Sequence, residues 1–408
     1  MNNDQKILRE LAAVYAGFAF DYANDEKEKL HRAVNDLRMI RPVVTIEELP
    51  WSEMDIDHEL TLRCDDPDLR KAEWHLRTCI FKCRHFRADL LLDKFYPVSK
   101  IILSTGCGVD IDEKTIGEQK IGGVVSHEYH DQMPEPEDLR KFHNPVISYD
   151  EKSTLRFYDK IADAIGDVLP VKLVGAQADY SIWDWIAMLH GVENMFLDLK
   201  QRPEFMHEAA DTFMRIIMSE IKQYEELNLL EPDLKYIHCT PATASDLPAS
   251  EDGKVRAKNV WGRASAQIFC DVSPAMHEVF DTNYMVQLLK PFGLNYYGCC
   301  EPLHNKISII EKIPNLRKIS ITPWADKVKS AELINKKYVF SAKPNPAFVA
   351  LKNFSRDAAE KELRLILDAC KTNGCSLDIT LKDISTVSGN PYNIIEWERL
   401  VMGMVNSL

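Results

Sequence analysis

The chain has 408 residues, enough for a large core arranged as two or three domains or as one large barrel. Its 50 basic and 63 acidic residues leave a formal charge of −13 with no basic stripe, which argues against a nucleic-acid surface and for good solubility. No run of roughly 18 apolar residues occurs, and the amino-terminal stretch lacks the apolar segment and cleavage site of an export signal, so the expectation is a cytoplasmic protein without membrane contact. In that setting the ten cysteines read as free thiols or metal ligands rather than as a disulfide framework.

Residues 3 to 38 read as charged amphipathic helices packed outside the main fold, which sets a boundary between a helical extension at 1–40 and a body at 41–408. The β-branched run from Arg41 to Ile46 predicts a first strand, closed by Glu47-Glu48-Leu49-Pro50-Trp51. A helix over Asp66 to Leu92 places His75, Cys79 and Cys83 on one stripe, a spacing that could gather ligands but that reads more readily as small core residues beside a half-buried histidine. Val98 to Ser104 predicts a second strand that presents Cys107. The segment from Asp110 to Tyr149 reads as an irregular loop, with His127, Glu128, His130 and Asp131 close together.

A helix from Glu151 leads to a third strand, Leu169 to Gly175, followed by Gln177 and Asp179, and Trp183 to Trp185 open the next helix. The long apolar-faced helix after Arg202-Pro203 returns to a fourth strand, Leu234 to Ile237, ending in His238-Cys239-Thr240. A loop of about thirty residues then precedes the helix start at Ser273-Pro274. The fifth strand, Leu294 to Tyr297, ends in Gly298-Cys299-Cys300-Glu301, and the sixth, Lys318 to Thr322, in Pro323-Trp324. The seventh, Tyr338 to Ser341, ends before Lys343 and Asn345. A helix from Ser355 stops at Gly374, and the eighth strand, Ser376 to Leu381, ends in Lys382-Asp383.

Eight strands separated by helices predict an α/β fold, a single (β/α)8 barrel with its chemistry where the strands end. His238, Cys299, Cys300 and Glu301, with Cys239 as a further donor, lie at the ends of neighbouring strands four and five. Imidazole and thiolate are the donors that zinc prefers, and a zinc-held thiol is deprotonated at neutral pH. Adjacent cysteines point in opposite directions along a strand, so one of Cys299 and Cys300 is the better ligand. Trp183, Tyr297 and Trp324 are candidate walls of a pocket, although aromatic residues also fill cores. His190 and His304 read as structural.

The runs Leu169 to Ile186, Arg202-Pro203-Glu204, Ser273-Pro274, Gly298-Cys299-Cys300, Thr322-Pro323-Trp324, Lys343-Pro344-Asn345-Pro346 and Leu381-Lys382-Asp383-Ile384 resemble the uroporphyrinogen decarboxylase superfamily. The resemblance spans about residues 40 to 405 and rests on the order of segments and turns. It implies the (β/α)8 barrel, and it lies closer to the corrinoid-linked methyltransferases than to the true decarboxylases. Where the latter carry an Arg-rich segment after the first strand, this chain has Glu47, Glu48 and Glu53. Where the methyltransferases carry His-X-Cys and a further Cys as zinc ligands, this chain has Tyr297-Gly298-Cys299 and Asp383.

The expectation is therefore a methyltransferase-like enzyme that moves a methyl group between a small methylated compound and a thiol or corrinoid, with zinc held by His238, Cys299, Cys300 and Glu301. Asp383, Lys382 and Asp179 are the catalytic candidates, and Gln177, Trp183, Tyr297, Trp324, Lys343 and Asn345 the substrate-binding ones. No corrinoid-binding Asp-X-His-X-X-Gly motif is present, so cobalamin would arrive on a partner protein; the resemblance also implies a homodimer. Two alternatives stand beside this. One is decarboxylation of a small or porphyrin-like acid, with Lys382, Lys343 or His238 at the carboxylate and Asp383 or Asp179 as proton donor. The other is a non-catalytic barrel that binds a methylated ligand or a corrinoid partner.

Overall fold

The computed structural model describes residues 1–116 and 126–408. One parallel sheet is formed by β1 (Val43–Ile46), β2 (Ala178–Tyr180), β3 (Trp261–Ala264), β4 (Leu294–Tyr297), β5 (Leu316–Ile321), β6 (Val339–Ala342) and β7 (Ser376–Leu381). Their order is β1-β7-β6-β5-β4-β3-β2, and every pair is parallel, as strands joined by helical crossovers require. The α/β class and the strand-helix alternation match the expectation from sequence. The main sheet has seven strands among the described residues, not eight.

Strand periodicity divides this sheet into two chemically different faces. In β5 the sequence Lys318-Ile319-Ser320-Ile321 alternates, and the register carries the alternation across: Tyr296 pairs with Lys318, Ser320 with Ser341, and Ser341 with Asp378. One face thus holds Asp179, Arg263, Tyr296, Lys318, Ser320, Ser341, Asp378, Thr380 and Thr45. The opposite face holds Tyr297, Ile319, Ile321, Phe340, Leu377 and Ile379, all buried in the main apolar cluster. Each large apolar side chain there contributes roughly 1.5–3 kcal/mol by leaving water.

A hairpin lies against the polar face. Tyr236–Ile237 pairs antiparallel with Thr240–Pro241, and the two turn residues, His238 and Cys239, have φ of 42° and 67°. Both angles are positive, as the tight hairpin turn that matches strand twist demands. Lys318 Nζ donates to the Pro241 carbonyl at 2.5 Å, Trp261 Nε1 to Ala242 at 2.7 Å, and Asn35 Nδ2 to Pro241 and Thr243 at 3.1 and 2.9 Å. These bonds fix how far the hairpin tip reaches along the sheet.

The helix Asn3–Ala19 starts with a capping box between Asn2 and Gln5 and buries Leu8, Ala12, Tyr15 and Ala19. It packs on the helices Pro67–His85 and Glu151–Ile165, forming a second apolar cluster with Leu69, Leu76, Ile80, Ile161 and Ile165. The helix Tyr22–Asn35 contributes buried Asn35 and Arg32, whose Nη1 donates to Ala244.

Several expected strands form elsewhere. Tyr96–Ser99 and Val171–Val174 are strands, but they pair with each other outside the main sheet, and Ile102–Ser104 pairs antiparallel with Ile147–Tyr149. The run expected as the fourth strand is the hairpin. Two strands of the main sheet, β2 and β3, fall where turn and loop were expected. β3 is short and carries Gly262 and Arg263, so no β-branched run announces it. Gly262 is needed there: a Cβ would stand 2.6 Å from Asn295 Oδ1 and from Phe292. In the expected loop from Asp110 to Tyr149, strands Glu113–Ile116 and Ser126–Tyr129 pair, His127 contacts Glu113 at 2.9 Å and His130 contacts Asp112 at 3.1 Å; residues 117–125 lie outside the described residues.

Candidate functional site

The strand ends of β1, β4, β6 and β7 and the tip of the hairpin converge on one polar cluster. Cys299 Sγ lies 3.2 Å from His238 Nε2, and His238 Nδ1 lies 3.4 Å from Asp179 Oδ2. Arg263 Nη1 donates to Asp179 Oδ1 at 2.6 Å, and its Nη2 to the Gly298 carbonyl at 3.1 Å. The guanidinium therefore ties the strand end that carries Cys299 to the carboxylate that orients His238. With His238 on a hairpin turn and Cys299 on β4's end, the line of Asp179, His238 and Cys299 joins three separate elements.

The local backbone holds this thiol in place. Gly298 has φ of 107°, and a Cβ there would stand 2.6 Å from Leu303 Cδ1. Buried Glu301 turns back to accept the N–H groups of Cys299 at 2.9 Å and Ala266 at 3.3 Å, and Ser320 Oγ donates to the Cys299 carbonyl at 2.9 Å. Cys300 follows with its Sγ 3.5 Å from that of Cys299 and 3.8 Å from Asp383 Oδ2.

The surroundings of Cys299 favour its thiolate form. The Cys300 thiol hydrogen-bonds its sulfur, and His238 and Arg263 add positive charge, so its pKa is held well below the usual thiol range although burial opposes this. His238 is raised: burial lowers it, but the bond to Asp179 and the Cys299 sulfur outweigh burial. Both shifts favour a thiolate-imidazolium pairing of Cys299 with His238. Cys300 holds the proton of the pair and is raised. Burial pushes the Glu301 carboxyl up to about 7.

A second polar group adjoins the first. Lys382 Nζ lies 3.4 Å from Asp383 and 3.5 Å from Glu48, Asp383 N–H donates to Glu48 at 3.1 Å, and Cys239 Sγ donates to Glu48 at 3.1 Å. Burial and the bond to Glu48 raise the Asp383 carboxyl, while Glu48 is held at about 2 by its bond to Asp383 and by Lys382, against burial. Four residues of this cluster are non-glycines with left-handed backbone: Glu48 at 52°, His238 at 42°, Cys239 at 67° and Asp383 at 57°. Such conformations cost on the order of 1–3 kcal/mol each and gather at working sites.

A cavity of about 420 Å³ opens beside the cluster, with Cys299, Cys300, Trp324, Lys343, Asn345 and Asp383 in its lining. The remaining candidates from the sequence sit elsewhere. Gln177 Nε2 reaches only the Tyr236 carbonyl, at 3.4 Å. Trp183 is wholly buried with its indole N–H on the Phe280 carbonyl at 3.0 Å. Tyr297 faces away from Tyr296 by strand alternation, and its hydroxyl meets His277 at 2.8 Å and Asp281. His190, read as structural, is buried between Asp131 and Asp198. Cys79 and Cys83 pack against the second apolar cluster.

Arg263, Glu48 and Ser320 were not singled out from the sequence. Glu48 had a signal, as an acidic residue at a strand end beside Glu47; Glu47 itself pairs with Lys82 at 2.5 Å. Among the described residues no group of three or more His, Cys, Asp and Glu side chains is gathered to hold a metal ion, and no helix is long and apolar enough to cross a membrane.

No protein-family model and no curated protein matches the chain. Among solved structures it is similar to a methyltransferase from Methanosarcina mazei, with a TM-score of 0.50 and 11% sequence identity over 93% of this chain and 97% of that one. At that identity the likeness concerns the fold.

Proposed function

We propose that the chain is a methyltransferase-like enzyme on a barrel-type scaffold of the uroporphyrinogen decarboxylase kind. It moves a methyl group between a small O-, N- or S-methyl compound and a thiol or a corrinoid carried by another protein. The observation that carries this reading is the Cys299 sulfur 3.2 Å from His238 Nε2 at the edge of a cavity of substrate size. A thiolate is a strong nucleophile toward a methyl carbon. In the methyl-accepting half, a bond forms from Cys299 sulfur to that carbon as the carbon-heteroatom bond breaks. The departing heteroatom takes the electron pair and the proton from His238, whose charge Asp179 had stabilised.

Zinc is a separable part of the proposal. His238 Nε2, Cys299 Sγ and Cys300 Sγ are donors of the right kind and lie in succession 3.2 and 3.5 Å apart, but they are not gathered round one point and would have to shift to hold an ion. Glu301, bonded to two backbone N–H groups, would have to turn to join them. The ion would supply the positive charge that keeps a sulfur deprotonated.

The test is intact-mass measurement after incubation with small methyl ethers, amines and thioethers, alongside elemental analysis of untagged protein. A gain of one methyl group, absent from Cys299→Ser and slowed about 10²–10⁴-fold in His238→Ala, is the expected result. Equal transfer by Cys299→Ser overturns the reading. Decarboxylation of a small acid is the second reading, favoured by the raised Asp383 carboxyl beside Lys382 as a proton donor. Carbon dioxide release that Asp383→Asn abolishes, with no methyl transfer, would establish it instead.

A further inference from the structure

The polar face of the sheet and its strand ends carry three buried lysines, and they are not equivalent. Lys318 Nζ is 2.8 Å from Asp378. Lys382 has Glu48 and Asp383 within 3.5 Å. Lys343, directly after β6, is 3% exposed, and its Nζ donates only to the neutral Ser341 hydroxyl, at 2.7 Å. Among the described residues no carboxylate reaches it within the 4.0 Å of an ion pair. An ammonium group has three donors, so two remain unused. The Asp378 carboxylate that could answer it is committed to Lys318 and Ser341.

Lys343 is also part of the cavity lining that contains Cys299 and Cys300. In the same lining Thr322 is 1% exposed, and its Oγ1 has no hydrogen-bond partner. A buried amine without an ion-pair partner and a buried hydroxyl without a hydrogen-bond partner each cost free energy that an anionic ligand would recover. The Tyr296 ring, 6.0 Å from Nζ, offers only a weak substitute.

We propose that Lys343 and Thr322 form an anion subsite, and that the substrate is a small methylated organic acid whose carboxylate sits there while its methyl-bearing heteroatom faces Cys299. This rests on the methyl-transfer reading for the role of Cys299, but not for the subsite itself. Burial brings the Lys343 pKa down to about 7, which is the condition of an amine awaiting such a partner. The single lysine suits a monoanion. A second carboxylate would meet Glu48 and Asp383 on the cluster beside the cavity.

The experiment is calorimetric titration with 2-(methylthio)acetate and with its uncharged isostere, 2-(methylthio)acetamide. Wild-type protein is expected to bind the acid at least about tenfold more tightly than the amide, a difference of about 1.4 kcal/mol. Lys343→Met should lose that preference while its melting temperature holds, because a buried unpaired lysine is replaced by an apolar side chain of like shape. Thr322→Val should lose part of it. Cys299→Ser should keep the preference and lose methyl transfer. Equal binding of acid and amide, binding of neither, or a preference that survives Lys343→Met overturns the subsite. Transfer from the amide as fast as from the acid overturns the subsite and leaves methyl transfer standing; selective acid binding with no transfer in any form does the reverse.

Discussion

Cys299 differs from most of the other thiols in what its neighbours donate; Cys375, lowered by a bond from Cys370, is the other exception. Cys64, Cys79, Cys83 and Cys239 are all pushed upward by burial, to between about 11 and about 12, whereas Cys299 receives a hydrogen bond from Cys300 and positive charge from His238 and Arg263. A lowered pKa extends the thiolate form toward acid, so its alkylation should not fall with pH where an ordinary thiol's does. Labelling by iodoacetamide, read peptide by peptide, is expected to be nearly flat for Cys299 from about pH 9 to about pH 6. Over the same range a normal thiol loses roughly tenfold per unit below its pKa. Restoration of that slope in His238→Ala would identify the imidazolium as the cause. A steep slope in wild type would refute the thiolate assignment. Cys299 was visible in the sequence because two adjacent thiols after a strand are unusual. Arg263, which braces it, was not, because an arginine beside a glycine in a four-residue strand looks like loop.

At the level of elements, the link between β5 and the hairpin decides whether His238 reaches Cys299. Lys318 is that link: its Nζ pairs with Asp378 and donates to Pro241, and it is wholly buried. Lys318→Met is expected to cost about 3–5 kcal/mol, since it leaves the Asp378 charge uncompensated. Adding Asp378→Asn should recover much of this. Urea unfolding of the two variants measures it, and an undiminished midpoint in Lys318→Met would show that the pair is not holding the hairpin. The strands with strict alternation, β5 and β7, were legible because apolar residues every second position have one structural solution. The hairpin was misplaced for an equally physical reason: Leu234 to Ile237 has the composition of a strand, and composition does not say which strand it pairs with. Nor does alternation reveal which face is inward, so Tyr296 and Tyr297 were indistinguishable until the register set them on opposite sides.

For the molecule as a whole, the amino-terminal helices do more than cover a surface. Asn3–Ala19 supplies Leu8, Ala12, Tyr15 and Ala19 to the second cluster, and Tyr22–Asn35 supplies Asn35, whose amide holds the hairpin's Pro241 and Thr243 carbonyls. A chain beginning at residue 39 is expected to lose the second cluster's packing and to expose Leu69, Leu76 and Ile161. Its soluble yield and far-ultraviolet spectrum would show this, and a soluble, cooperatively melting truncation would show that the helices are dispensable. Leu8→Ala offers a milder form of the test, expected to cost about 2–5 kcal/mol. The amphipathic pattern of these helices was plain in the sequence; their partners were not, because Asn3–Ala19 is received by residues at 67–85 and 151–165 and Tyr22–Asn35 by the strands at 43–46 and 376–381.

The four left-handed residues at the strand ends carry one more consequence. Glycine adopts such φ values freely, so replacing His238 or Cys239 by glycine relieves backbone cost while deleting a functional group. At Glu48 and Asp383 the same change would also strip buried Lys382 of its counter-charges. A laboratory selection for heat resistance alone would therefore drift toward glycine at the hairpin tip first, and the chain would grow hardier there as its chemistry was erased.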